Sequence, residues 1–121
     1  VTSTQGTDRP DRLSVEEHTA NGIRVVTLGG EIDHDVTDAL RGIVLPAEGQ
    51  DPPRTVLDLS AVTFMDSSGI NVLVSAHQAA DDANGWLRIA CAQGPVLRVI
   101  QLVGLDAVIA CRPTVEQALD S

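Results

Sequence analysis

Residues Thr55 to Ala76, TVLDLSAVTFMDSSGINVLVSA, change hydrophobic period partway along, and that change narrows the architectures open to the chain. Val56, Leu57 and Leu59 form an apolar run that suits a strand buried on both faces. Ser60 to Met65 reads as a short turn. From Gly69 onward the apolar residues fall at 69, 72, 73, 76 and 80, which is helical spacing. Asp66 and Ser67 therefore lie where a strand and loop give way to a helix N-terminus. The first N–H groups of a helix have no intrahelical partner, and the dipole there favours negative charge. Two readings fit. Asp66 or Ser67 caps the helix, the commoner role for such residues; or the Ser67 hydroxyl, on an exposed turn suited to anions, accepts a phosphoryl group.

The rest of the chain supplies the same kinds of element. Residues 1–12 are polar, aperiodic and contain Gly and Pro, which predicts a flexible tail ahead of one domain over 13–121. Leu13, Val15 and Glu17 alternate with polar residues as in a strand, and Asn21-Gly22 is a hairpin signal. Ile23 to Leu28 follows as a second strand, and Gly29-Gly30 lets it end close against a neighbour. After Asp33, apolar positions 36, 39, 40, 43 and 44 mark a helix face, with Asp35 and Asp38 in its first turn. Asp33 is then a candidate N-cap as well as a candidate functional carboxylate. Pro46 is expected to stop that helix, with a loop over 48–54. The central helix is expected to reach about Ala80, followed by a turn at Asp81 to Gly85. Trp86 to Ala90 reads as a strand, and Gly94-Pro95 opens a helix that Gly104 closes. The inward face of that helix is expected to be Val96, Val99, Ile100 and Val103. A strand at Val108 to Ala110 and a capping box at Thr114 to Gln117, docking Val115, Ala118 and Leu119, complete the chain. The order β-β-α-β-α-β-α-β-α predicts an α/β domain with a mixed, mainly parallel sheet opened by a hairpin.

Composition excludes several functions. A chain of 121 residues with 43% hydrophobic content supports one core, and with one Trp, one Phe and no Tyr that core is built from aliphatic residues. The same scarcity of aromatics, with a net charge of −9, argues against nucleic-acid binding. No stretch approaches the ~20 apolar residues of a membrane span. There is no leader pattern of a basic region followed by an apolar one, so a cytoplasmic setting is expected. Cys91 and Cys111 are then small apolar residues near strand ends, able to meet only if their strands are neighbours. His18, His34 and His77 share no ligand spacing, and no phosphate-binding loop, dinucleotide motif or nucleophile elbow occurs. Neither a metal nor a cofactor is expected, nor an enzymatic activity of the chain's own. The apolar residues Ile70 and Val74 lie off the 69/72/73/76 stripe and are candidates for an exposed patch that meets a partner, whereas Phe64 is expected in the core.

The segment DLSAVTFMDSSGI resembles the signature of the STAS domain, in its branch of bacterial anti-sigma factor antagonists. Gly30-Glu31-Ile32-Asp33 is similar to a second element of that family, and Leu102-Val103-Gly104-Leu105 to a third, in the same order over about residues 13 to 119. The resemblance implies the STAS fold, with helices mostly on one face of a small mixed sheet. It implies that Ser67 is the residue phosphorylated by a partner kinase, and it tips the choice above toward the phosphoacceptor. By the same resemblance the unphosphorylated chain binds an anti-sigma factor with serine kinase activity, which frees a sigma factor. A metal-dependent serine phosphatase then restores the binding form. Asp33, Asp66, Ser67, Ser68, Gly69, Ile70 and Val74 are the expected partner-binding residues. The alternatives are a STAS regulatory subunit of a membrane transport complex, and a small hydrolase with Ser67 as nucleophile.

Overall fold

The computed structural model describes residues 13–45 and 52–120. The expected tail, Pro46 and most of the 48–54 loop lie outside the described residues. Strand β1 (Leu13–Ala20) and strand β2 (Ile23–Ile32) form the opening antiparallel hairpin. Asn21 and Gly22 join them with φ of 54° and 78°, the left-handed pair that a tight two-residue turn needs. A 3-10 turn (His34–Val36) leads into helix α1 (Thr37–Val44). Strand β3 (Arg54–Met65) and helix α2 (Ser67–Asp82) follow, then strand β4 (Trp86–Ala90) and helix α3 (Gly94–Leu102). After a second 3-10 turn (Leu105–Ala107), strand β5 (Ala110–Arg112) and helix α4 (Val115–Asp120) close the chain. The five strands pair in sequence order, β1-β2-β3-β4-β5, parallel everywhere but at the first pair.

Alternation along the strands divides the core between two faces. Val26, Leu28, Leu57, Leu59, Leu87 and Ile89 point to one side. There they meet Leu40 and Val44 of α1, Ile70, Val72, Leu73 and Ala76 of α2, and Val96 and Ile100 of α3. Ile23, Val25, Val56 and Ala90 point to the other side, where α4 lays Ala118 with Val115 and Leu119 beside it. At the start of α4, Thr114 Oγ1 accepts the Gln117 N–H at 3.1 Å, half of the expected capping box. The end of α1 is held by Arg24, which is only 9% exposed, pairs with Glu17 at 2.7 Å and donates to the carbonyls of Ile43 and Leu45. A cation at the last carbonyls of a helix also meets the negative end of its dipole.

Several local expectations are corrected. Ser60 to Met65 is not a turn but the second half of β3, paired with β2. The pairing steps from Thr27↔Asp58 to Gly29↔Ala61, then from Gly30↔Val62 to Glu31↔Phe64, so β3 carries an extra residue twice. Bulges of this kind break the period of 2 and make a strand look irregular in sequence. They also carry β2 past Gly29-Gly30 to Ile32. Helix α2 continues through Asp82, so the turn is limited to Ala83 to Gly85. The last strand begins at Ala110, and Val108 before it is 55% exposed. Val103 is also 55% exposed, because α3 ends at Leu102 and the chain there turns off the helix axis.

Cys91 and Cys111 do sit on neighbouring segments, yet Cys111 packs against the larger core and Cys91 against the smaller one. Both are free thiols. Burial pushes each thiol above its ordinary range, with Asp58 adding to the effect at Cys91 and Asp106 at Cys111.

Candidate functional site

Two parallel strands end side by side to make this site. Ile32 and Met65 are paired residues of β2 and β3, both fully or almost fully buried against the helical face. The next residue of each strand is an aspartate, so Asp33 and Asp66 leave the sheet together at its C-terminal edge. The Asp66 N–H still donates to the Ile32 carbonyl at 3.1 Å, which fixes their relative position. Each aspartate then starts a helical segment. Asp33 accepts the Asp35 N–H at 3.0 Å. Asp66 accepts the Ser68 N–H at 2.9 Å and the Gly69 N–H at 3.4 Å.

The choice of cap left open by the residues is thus settled. Asp66, with extended backbone angles of −106° and −172°, is the N-cap of α2. Ser67 is the first residue of the helix and exposed; Ser68 is half-buried. Because a carboxylate already satisfies the first orphan N–H groups, the Ser67 hydroxyl is not needed as a cap. Asp66→Ala is therefore expected to lower stability by about 1–2 kcal/mol, and Asp66→Asn by much less. Chemical denaturation of the three proteins measures this.

Gly69 brings the helix down onto the strand ends. A Cβ there would lie 2.7 Å from Ile32 Cγ2 and 2.9 Å from Met65 Cγ, so a side chain would lift the first turn of α2 away from the sheet. Ile70 next to it is 7% exposed and belongs to the larger core, and Val74 is half-buried against that core. The expected exposed patch at Ile70 and Val74 is not there, because Ile70 is part of the larger core and Val74 packs against it. The exposed apolar residue is Phe64, at 45%, contrary to its expected place in the core. The second bulge, at Thr63, sets Phe64 opposite Glu31 and Met65 opposite Ile32. Met65 then takes the buried side at 2% exposure, and Phe64 takes the outer one. No sequence period signals this, since the bulge changes the phase.

The surroundings are acidic. Glu31 and Asp35 are exposed, Asp33 and Asp66 are half-buried, and His34 lies 3.1 Å from Asp35. Among the described residues, no group of three or more His, Cys, Asp or Glu side chains is arranged to hold a metal ion. No helix among them is long and apolar enough to cross a membrane.

A five-stranded mixed sheet with three helices on one face, and a serine opening the helix after its longest strand, defines a class of small α/β domain. The sequence profile of the STAS domain matches residues 14–118, and the chain belongs to that family. It is 32% identical over 111 residues to the anti-sigma-F factor antagonist RsfB of Mycobacterium tuberculosis, covering 91% of this chain and 89% of that protein. It is 30% identical over 94 residues to an anti-sigma F factor antagonist of Paenibacillus polymyxa, covering 77% and 80%. Among solved structures, an anti-sigma factor antagonist from Mycobacterium paratuberculosis superposes with a TM-score of 0.75 at 30% identity, covering 92% of this chain and 94% of that one.

Proposed function

We propose that this protein is an anti-sigma factor antagonist whose binding is switched by phosphorylation of Ser67. The unphosphorylated form binds an anti-sigma factor that is also a serine kinase. Phosphorylation ends that binding, and a metal-dependent serine phosphatase restores it. The observation that carries the reading is the position of Ser67: an exposed hydroxyl on the first turn of α2, freed from capping by Asp66 and set at adjoining strand ends with Asp33. The names of the similar proteins point the same way. A phosphate brings about −1.5 to −2 charges. Placed beside two aspartates in a chain already at −9, it penalises any surface built to receive a neutral hydroxyl.

The direct experiment is incubation with an anti-sigma factor kinase and ATP, followed by mass mapping of the modified residue. Label on Ser67, lost in Ser67→Ala, is the expected result. Label on Ser68 with Ser67→Ala still modified would overturn the assignment. Binding itself is tested with the anti-sigma-F factor of Mycobacterium tuberculosis, whose antagonist is 32% identical to this chain. A regulatory subunit of a transport complex is not favoured by any residue of the site.

Asp33 separates capping from function. Asn caps about as well as Asp, so Asp33→Asn is expected to leave the melting curve unchanged. Its loss of charge beside the Ser67 turn is expected to slow phosphorylation several-fold. Unchanged melting together with an unchanged rate would reduce Asp33 to a cap.

A further inference from the structure

Gly69 is the third residue of α2, and its φ lies outside the left-handed region that would by itself call for glycine. Within a helix alanine is the favoured residue over glycine. Glycine therefore stands here against local preference, and the reason lies beneath it. A Cβ would meet Ile32 Cγ2 at 2.7 Å and Met65 Cγ at 2.9 Å. Neither atom is the free end of a side chain. Ile32 Cγ2 is a branch at Cβ on a fully buried residue, and Ile32 is pinned by its pairing with Met65 and by the Asp66 N–H on its carbonyl. By contrast, Gly42 of α1 has nothing within 4 Å of where a Cβ would stand.

This contact sets where Ser67 stands. Residues two apart on a helix point about 200° from one another round its axis. The buried glycine that rests on the strand ends thus puts Ser67 on the far side, where it is exposed. The Gly69 N–H also donates to the Asp66 cap at 3.4 Å, the longer of the two cap bonds. Carbon atoms rest about 3.5–4.0 Å apart, so a methyl group at this position would raise the first turn by about 1 Å and stretch that bond past hydrogen-bond length. Phosphoryl transfer from ATP is sensitive to such a displacement. Ser67 Oγ has to come in line with the γ-phosphorus. The new O–P bond forms as the bond to the β,γ-bridging oxygen breaks, ADP leaves, and the hydroxyl proton passes to a base on the kinase. Catalysis of this step is mostly positioning, and a misplacement of about 1 Å can cost about 100-fold.

We propose that Gly69 is a positioning residue for the phosphorylation of Ser67: its missing side chain seats the first turn of α2 on Ile32 and Met65 and holds the Ser67 hydroxyl at the height from which it reaches the kinase's ATP. This rests on the function proposed above and departs from the expectation that Gly69 meets the partner directly. Gly69 is buried, and it acts through Ser67.

The test is steady-state phosphorylation by the anti-sigma-F factor of Mycobacterium tuberculosis with ATP, with a melting curve for every variant and Gly42→Ala as the control. Gly69→Ala is expected to lower kcat at least about tenfold at a temperature where it is fully folded, with KM changed less than about threefold. Ile32→Leu, added to Gly69→Ala, removes the Cγ2 branch but leaves the Met65 contact, so kcat is expected to recover in part. Gly42→Ala is expected to match the wild type. A structural role alone lowers the melting temperature and leaves kcat of the folded protein unchanged, and that result would overturn the positioning role. So would a rise in KM at constant kcat, which would make Gly69 part of the contact surface, or no recovery in the double variant. Should Gly69→Ala alone not fold, the double variant decides: wild-type kcat in that folded protein would overturn the positioning role and leave the proposed function standing. No phosphorylation of the wild type would overturn the proposed function and the positioning role together.

Discussion

Ser67→Asp is expected to weaken binding to the anti-sigma factor by at least about tenfold, while Ser67→Ala binds as the wild type does. The aspartate places a charge on an exposed first-turn position, beside the Asp66 cap and the Asp33 strand end. That charge does not harm the fold. A carboxylate in the first turn of a helix meets the positive end of the dipole, which stabilises it by about 0.3–1 kcal/mol. Lost binding without lost stability would therefore identify repulsion at the contact surface rather than damage to α2. Alanine is nearly silent for a structural reason: the cap bonds at 2.9 and 3.4 Å belong to Asp66, so removing the serine hydroxyl breaks none of them. Titration calorimetry and melting curves on the same three proteins check both halves. Equal affinities of the alanine and aspartate variants would refute the electrostatic switch.

Gly85→Ala should be the most damaging small substitution in the domain, costing ~3 kcal/mol or more and lowering the melting temperature by about 10 °C. A Cβ at Gly85 would fall 1.7 Å from the Pro53 carbonyl oxygen and 2.7 Å from its carbonyl carbon. Both are backbone atoms, so no change of rotamer makes room. The same oxygen accepts the Trp86 N–H at 2.8 Å, and the Gly85 N–H closes the end of α2 onto Ala80 at 2.8 Å. This contact sets the start of β4 against the start of β3, where Arg54 pairs with Trp86 and Thr55 with Leu87. Moving the turn to admit a methyl group would drag that register with it. Thermal unfolding followed by far-UV circular dichroism measures the effect, and a drop under about 2 °C would show that the turn yields more easily than its geometry implies.

The sequence by itself determined the succession of elements, the hairpin, the α/β class and the placing of Asp66 and Ser67 at a helix start. These depend on local causes. A period of 3.6 against 2, a left-handed Asn-Gly pair and a carboxylate ahead of a helix act over a few residues, whatever surrounds them. The family motifs were legible for the same reason, since Gly30 to Asp33 and Asp66 to Gly69 are contiguous. Tertiary structure decided which apolar side chains meet water. Ile70 lies off the central stripe of α2, yet it is buried in the larger core; Phe64 lies in an apolar run, yet the bulge at Thr63 turns it outward and Met65 inward. Val103 continues the helical stripe of α3 but falls beyond the helix end and is 55% exposed. Cys91 and Cys111 were left undecided by spacing, and the sheet separates them onto opposite faces. Burial depends on which element arrives from a distance and in what register, and a single inserted residue in a strand reverses every face after it. The adjacency of Asp33 and Asp66 is of this second kind. Only the parallel pairing of β2 with β3 brings those two carboxylates, far apart in the chain, to one edge beside Ser67.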